Sequence, residues 1–308
     1  MYRIVIHGGA GLSTPQDLGS AREQIARSAL KDSLIQADKV LSTGGTALDA
    51  VQTAVQIMED SEVFNAGKGS VFAADGVQRM DASIMDGKTM KAGALCGVST
   101  IRYPIQAART IMEKTPHVML YGQDAENLAQ ENGLQIVPQT WFHTEYRWNQ
   151  LQRAIAAKKI ILDHESVDKG MSKGTVGAVA LDIHGNVAAA TSTGGLVNKM
   201  PGRVGDSALI GAGTYAKNST CAVSATGHGE LFIRRNVAGR MSDLIELAQL
   251  SLAQAAKRIV FTELPDDCGG LIACDTAGNI TMPFNTGGMF RGYLTEEQIP
   301  NVYVWREQ

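Results

Sequence analysis

Residues 177–195 align without a gap on residues 270–288, and this internal match constrains the fold more than any other feature of the chain. Gly177 pairs with Gly270, Asp182 with Asp275, Gly185-Asn186 with Gly278-Asn279, and Thr193-Gly194-Gly195 with Thr286-Gly287-Gly288. Each copy is an apolar run, a Gly-Asn turn, a second run and a Thr-Gly-Gly exit, which predicts a strand, a tight turn and a returning strand. One repeat at a separation of about ninety residues does not make a solenoid. It predicts two hairpins in comparable positions of one sheet system.

Helical spacing surrounds these hairpins. Ile25, Ala29, Leu30, Leu34, Ala37 and Leu41 predict a helix over 20–41, stopped by Gly44-Gly45. Thr46, with Asp49 three residues on, predicts the cap of a second helix whose inner stripe is Leu48, Val51, Val55 and Met58. Further helices fit 105–114 and 125–132, and one over 242–258 carries Leu244, Ile245, Leu247, Leu250, Leu252 and Ala255. The opening strand, 2–6, runs into His7-Gly8-Gly9-Ala10-Gly11, where three glycines predict a turn closely approached by other backbone. From 62 to 96 a glycine-rich loop leads into strands, whereas the charged stretch 157–173 predicts an exposed connection. Strands and helices in both halves favour a layered α/β structure over a bundle or a sandwich.

Composition removes several classes of function. A net charge of -3 over 308 residues gives no electrostatic reason to bind nucleic acid or an anionic membrane. No run reaches the ~18 to 20 apolar residues that span a bilayer, and the N-terminus enters a strand without a secretory signal, so a soluble cytoplasmic protein is expected. Cys96, Cys221, Cys268 and Cys274 lie far from any Cys-x-x-Cys spacing and predict core thiols. The histidines show no ligand spacing; His184 belongs to a hairpin turn, and His7 is expected to make a core hydrogen bond. The glycines after His7 lack the spacing of a phosphate-binding fingerprint, which leaves phosphate binding a minor alternative.

With neither His-Glu-x-x-His nor Gly-x-Ser-x-Gly present, a hydrolase on this chain needs another proton acceptor. An N-terminal threonine supplies one in its own α-amine. Gly174-Thr175 opening the first hairpin, Thr191 to Ser207, Gly211 to Gly213 and Thr226 to Glu230 together resemble the plant-type L-asparaginases and isoaspartyl peptidases of the N-terminal-nucleophile hydrolases. His7 to Gly11, Phe64 to Gly67, Met80-Asp81-Ala82 and Met85-Asp86-Gly87 extend the resemblance over nearly the whole chain.

The resemblance implies a four-layer αββα fold, made as one precursor and divided by its own chemistry into 1–174 and 175–308. Thr175 is then the nucleophile and Gly174 its cleavage partner. Thr193 hydrogen-bonds the nucleophile's oxygen, Thr226 and Gly227 form the oxyanion hole, and Asn65 lies beside the reacting group. Arg203 and Asp206, of opposite charge, are expected to hold the α-carboxylate and α-ammonium of the substrate, the alternative being a surface ion pair between them. The implied substrates are L-asparagine and β-aspartyl dipeptides. The family uses no organic cofactor, places a structural sodium on main-chain carbonyls corresponding to Met58, Glu59, Ser61, Phe64, Ala66 and Lys68, and forms a dimer of cleaved pairs. An aspartylglucosaminidase-like enzyme and a nonhydrolytic amino-acid-binding homologue are the alternatives.

Overall fold

A computed structural model describes residues 1–12, 14–157 and 174–306. The predicted exposed connection therefore lies, but for Ala157, outside the described residues. The strands are β1 (Arg3–Leu12), β2 (Met80–Asp86), β3 (Ala92–Val98), β4 (Met119–Tyr121), β5 (Val176–Leu181), β6 (Val187–Thr193), β7 (Thr214–Ala216), β8 (Ala222–Gly227), β9 (Gly269–Cys274), β10 (Ile280–Thr281), β11 (Gly288–Thr295) and β12 (Asn301–Trp305). The helices are α1 (Pro15–Leu18), α2 (Ser20–Ser42), α3 (Ala47–Glu59), α4 (Pro104–Lys114), α5 (Gly122–Glu131), α6 (Glu145–Ala156), α7 (Gly229–Arg235), α8 (Val237–Glu246) and α9 (Leu252–Arg258). The fold is mixed α/β, and among the described residues no helix is long and apolar enough to cross a membrane.

An eight-stranded sheet runs in the order β12-β11-β1-β5-β6-β2-β3-β4, and a four-stranded sheet in the order β10-β9-β8-β7. Strand alternation explains how the larger sheet is buried on both faces. Ile4 and Ile6 of β1, with Ala178 and Ala180 of β5, join the core shared with α2, α3 and α4. Val5, Val179 and Leu181 point the other way and meet Ala222, Ile272 and Cys274 of the smaller sheet. The far face of that sheet, through Val223, Leu271 and Ala273, packs with Met241, Leu252 and Ala255.

Both copies of the repeat form hairpins, but in different sheets: β5 and β6 lie in the larger, β9 and β10 in the smaller. The second return arm is only two residues long. Pro283 stands where the first copy has Ala190, and a proline supplies no ladder N–H. After Phe284 bridges back to Gly270, the chain crosses and enters the larger sheet as β11.

Several local expectations hold. Thr46 and Asp49 form a reciprocal capping box at α3. The four cysteines are free and buried, and His184 is exposed in its turn. Others need correction. The glycines after His7 do not form a turn; β1 continues through them, pairing Gly9 with Phe290 and Ala10 with Met289 across two register shifts. Ile25 is 58% exposed, and the neighbouring Ala26 takes its inward place on α2. The helix predicted over 242–258 is two, α8 and α9, because Ser251 and Gln254 cap a fresh start after Gln249 turns left-handed at φ 54°.

Candidate active site

Thr175 stands immediately before β5, and Thr193 ends β6, its hairpin partner. The turn therefore brings together two residues separated by eighteen positions: Thr175 Oγ1 donates to Thr193 Oγ1 at 3.1 Å, and Gly195 N donates to the same oxygen at 3.0 Å. Both threonines are nearly buried. Gly174, at φ 118°, presses against β1 so closely that a Cβ there would sit 2.2 Å from the Cα of Gly9. The predicted close approach of backbone to the glycine-rich segment is thus made by the residue before the threonine.

Asn65 reaches the same place from the loop after α3. Its main-chain N–H donates to the carbonyl of Gly174 at 3.2 Å, and its side-chain amide donates to the carbonyl of Gly195 at 2.7 Å. Thr226, at the end of β8, is fully buried and accepts from Ala10 N at 3.3 Å. Ala10 and Gly11 direct their N–H groups to Thr226 and Thr286, so this segment does not offer them to a phosphate.

A cavity of about 20 Å³, room for roughly one water, is lined by Thr175, Thr193, Gly195, Leu196, Arg203, Gly205, Asp206, Ser207 and Gly227. The fold thus assembles the sequence-predicted residues around one point, with Asn65 and Thr226 supporting it from behind. Ser207, Leu196 and Gly205 stand in quoted motifs, but spacing alone assigns them no role.

The alternative of an ion pair between Arg203 and Asp206 does not hold. Arg203 does not bridge Asp206; its Nε and Nη2 donate to the two carboxylate oxygens of Glu230 at 3.0 and 3.1 Å. That contact holds the Glu230 carboxyl below its ordinary range against the opposing effect of burial. Asp206 is left with burial as its dominant influence. Its carboxyl is pushed up to about 7, Arg203 only partly opposing the shift, and Oδ2 has no hydrogen-bond partner among the described residues. Glu230 escaped the sequence reading because it acts through Arg203; its position at the start of α7, in the Thr226 to Glu230 motif, was the available signal.

His7 makes the expected core hydrogen bonds, to Thr175 O at 3.0 Å and Ser224 Oγ at 2.9 Å. Burial drives its pKa down to about 3, so the ring is neutral over the physiological range. Among the described residues no cluster of histidine, cysteine and carboxylate side chains has metal-ligand geometry. Main-chain oxygens behave otherwise at the end of α3. The carbonyls of Ser61, Glu62 and Phe64 all lie within 2.9 Å of the point a Gly69 Cβ would occupy, and that of Glu59 lies 2.2 Å from the equivalent point at Gly67. Such convergent oxygens suit a hard monovalent or divalent cation in kind, and only glycine leaves the space.

A family model described as asparaginase matches residues 1–304. An isoaspartyl peptidase of Salmonella typhimurium is 46% identical over 99% of this chain and 98% of its own. A plant-type L-asparaginase of Pyrobaculum calidifontis is 41% identical over 95% and 97%, and an isoaspartyl peptidase/L-asparaginase of Mus musculus 40% identical over 93% and 86%. On the evidence of the family match over residues 1–304 and of these relatives, the chain belongs to the asparaginase family.

Proposed function

We propose that this protein cleaves itself between Gly174 and Thr175 and then hydrolyses β-aspartyl peptide bonds and the side-chain amide of asparagine. The observation that carries this reading is the hydroxyl of Thr175 directed at Thr193, directly after a glycine held at positive φ against β1.

In the precursor the Thr175 hydroxyl adds to the Gly174 carbonyl, the C–N bond breaks, and an ester to Oγ1 forms while the amine takes the proton. Water then resolves the ester, leaving Gly174 with a carboxylate and Thr175 with a free amine. The N–H of Asn65, already donating to the Gly174 carbonyl, supports stabilisation of the oxyanion in that first step. In the mature enzyme the amine accepts the proton from its own hydroxyl, and Oγ1 attacks the substrate's β-carbonyl. Ammonia or an amino acid departs with a proton, and water releases aspartate from the acyl-threonine. Thr193 orients the nucleophile, and Thr226 with Gly227 stabilises the oxyanion. Arg203, held by Glu230, takes the α-carboxylate with its remaining donors, and Asp206 takes the α-ammonium, which would replace its missing partner.

The three cores separating helices, two sheets and helices support a four-layer αββα arrangement. After cleavage, 1–174 and 175–308 remain together as one unit, and two such units form a cytoplasmic dimer. No organic cofactor enters the steps above. Carbonyls of Met58, Glu59, Ser61, Phe64, Ala66 and Lys68 would hold a structural sodium, a reading supported by the oxygens crowded around Gly67 and Gly69. Bound there, the ion supplies charge that steadies the loop carrying Asn65.

Intact mass spectrometry of the purified protein, followed by assays with L-asparagine, β-Asp-Leu and α-Asp-Leu, tests the proposal. Two fragments are expected, the second beginning at Thr175, and Thr175→Ala should remain one inactive chain. The α-linked dipeptide, whose α-carboxyl is tied up in the peptide bond, should be poorer in kcat/KM by on the order of 10⁴-fold. Turnover by uncleaved protein would overturn the nucleophile, and equal use of both dipeptides would overturn the pocket.

A further inference from the structure

Thr175 begins where its strand pairing ends. The ladder between β1 and β5 stops at His7 and Gly177, so the carbonyl of Thr175 is held not by a strand neighbour but by the His7 side chain. Before cleavage the peptide bond to Gly174 also restrains this residue. Afterwards it is a chain end, and chain ends lose order unless something ties them down.

Behind His7 runs a continuous line of buried hydroxyls. Nε2 meets Ser224 Oγ at 2.9 Å, Ser224 meets Thr191 Oγ1 at 2.7 Å, and Thr191 meets Thr214 Oγ1 at 2.5 Å. Ser83 Oγ then lies 2.8 Å from Thr214 and 2.6 Å from the carbonyl of Ser207, the neighbour of Asp206. All five side chains have no exposed surface. Their meeting depends on Gly177, where a Cβ would fall 2.0 Å from Ser224 Oγ and 2.4 Å from His7 Nε2. Since a carbonyl oxygen only accepts, Nδ1 must carry the imidazole proton, and Nε2 is then the acceptor of the Ser224 hydroxyl.

We propose that His7 is a positioning residue for the nucleophile: its Nδ1–H holds the main-chain carbonyl of Thr175, which sets the tautomer, and the buried Ser224 hydroxyl, packed against Thr191, holds the ring from its Nε2 side. The inference rests on Thr175 being the nucleophile. His7 touches no reacting atom, so its loss acts on the geometry of attack and not on the hold on substrate. An error of about 1 Å in such geometry costs up to about 100-fold in rate.

The test uses fully matured full-length protein and β-Asp-Leu. His7→Leu is expected to lower kcat at least tenfold while changing KM less than threefold, and His7→Asn, whose amide N–H takes the place of Nδ1–H, should recover most of the loss. Nitrogen-15 spectra of the wild-type protein labelled at histidine should show His7 protonated at Nδ1 and bare at Nε2 near neutral pH. A proton on Nε2, or a matured His7→Leu with kcat within twofold of wild type, overturns the proposal; if His7→Leu does not fold, the tautomer and the Asn variant decide. Wild-type protein that is inactive would remove the functional reading and this inference together, whereas active wild type with an equally active His7→Leu removes this inference alone.

Discussion

Asp206 is a carboxylic acid almost out of reach of water, beside an arginine already committed to another partner. Its pKa near 7 lies above that of the unfolded chain, so the native state keeps a proton the unfolded state has lost, and its ionisation costs stability as pH rises from about 4 to 7. A ligand bearing an ammonium group selects the ionised form. Affinity for the product L-aspartate should therefore weaken below pH 7, by up to about tenfold per pH unit, and Asp206→Asn should bind more weakly but without that slope. Titration calorimetry from pH 5 to 8 gives the answer, and a pH-independent Kd would separate Asp206 from the ammonium site. At this scale the sequence singled out the two charges but not the partner that Arg203 takes. Nothing in the local spacing of Arg203 and Asp206 shows that α7 brings Glu230 to the guanidinium from 27 residues away.

The element against which Gly174 packs is β1, whose glycines read as a turn yet form a strand. Gly9 and Gly11, at φ 111° and 107°, let the strand continue through register shifts while Gly174 packs directly on it. Gly174→Ala would place a methyl into the Gly9 main chain at a φ that alanine rarely adopts. Self-cleavage should slow at least tenfold, followed as the fraction of intact mass over time; an unchanged rate would show that this contact does not shape the precursor. Capping at α3 was legible because Thr46 and Asp49 are three residues apart and solve a local hydrogen-bonding problem. The break between α8 and α9 was not, since apolar spacing runs on through Leu247, which the structure leaves 78% exposed.

Over the whole molecule, cation binding at the carbonyls after α3 would stabilise the native state by mass action, by about 2.7 kcal/mol at a hundredfold excess over Kd. The melting temperature should fall by several degrees when sodium chloride is replaced by choline chloride at equal ionic strength. Equal melting temperatures would remove the sodium reading. The sequence by itself determined the α/β class, the two hairpins, the capped helices and the order of the motifs, because periodicity, turn residues and caps act within a few positions of one another. Only the tertiary structure decided that the hairpins occupy separate sheets, that Glu230 holds Arg203, and that His7 holds Thr175 across 168 positions. Those outcomes depend on burial and on contacts between strands distant in the chain, and neither leaves a repeating trace in the order of residues.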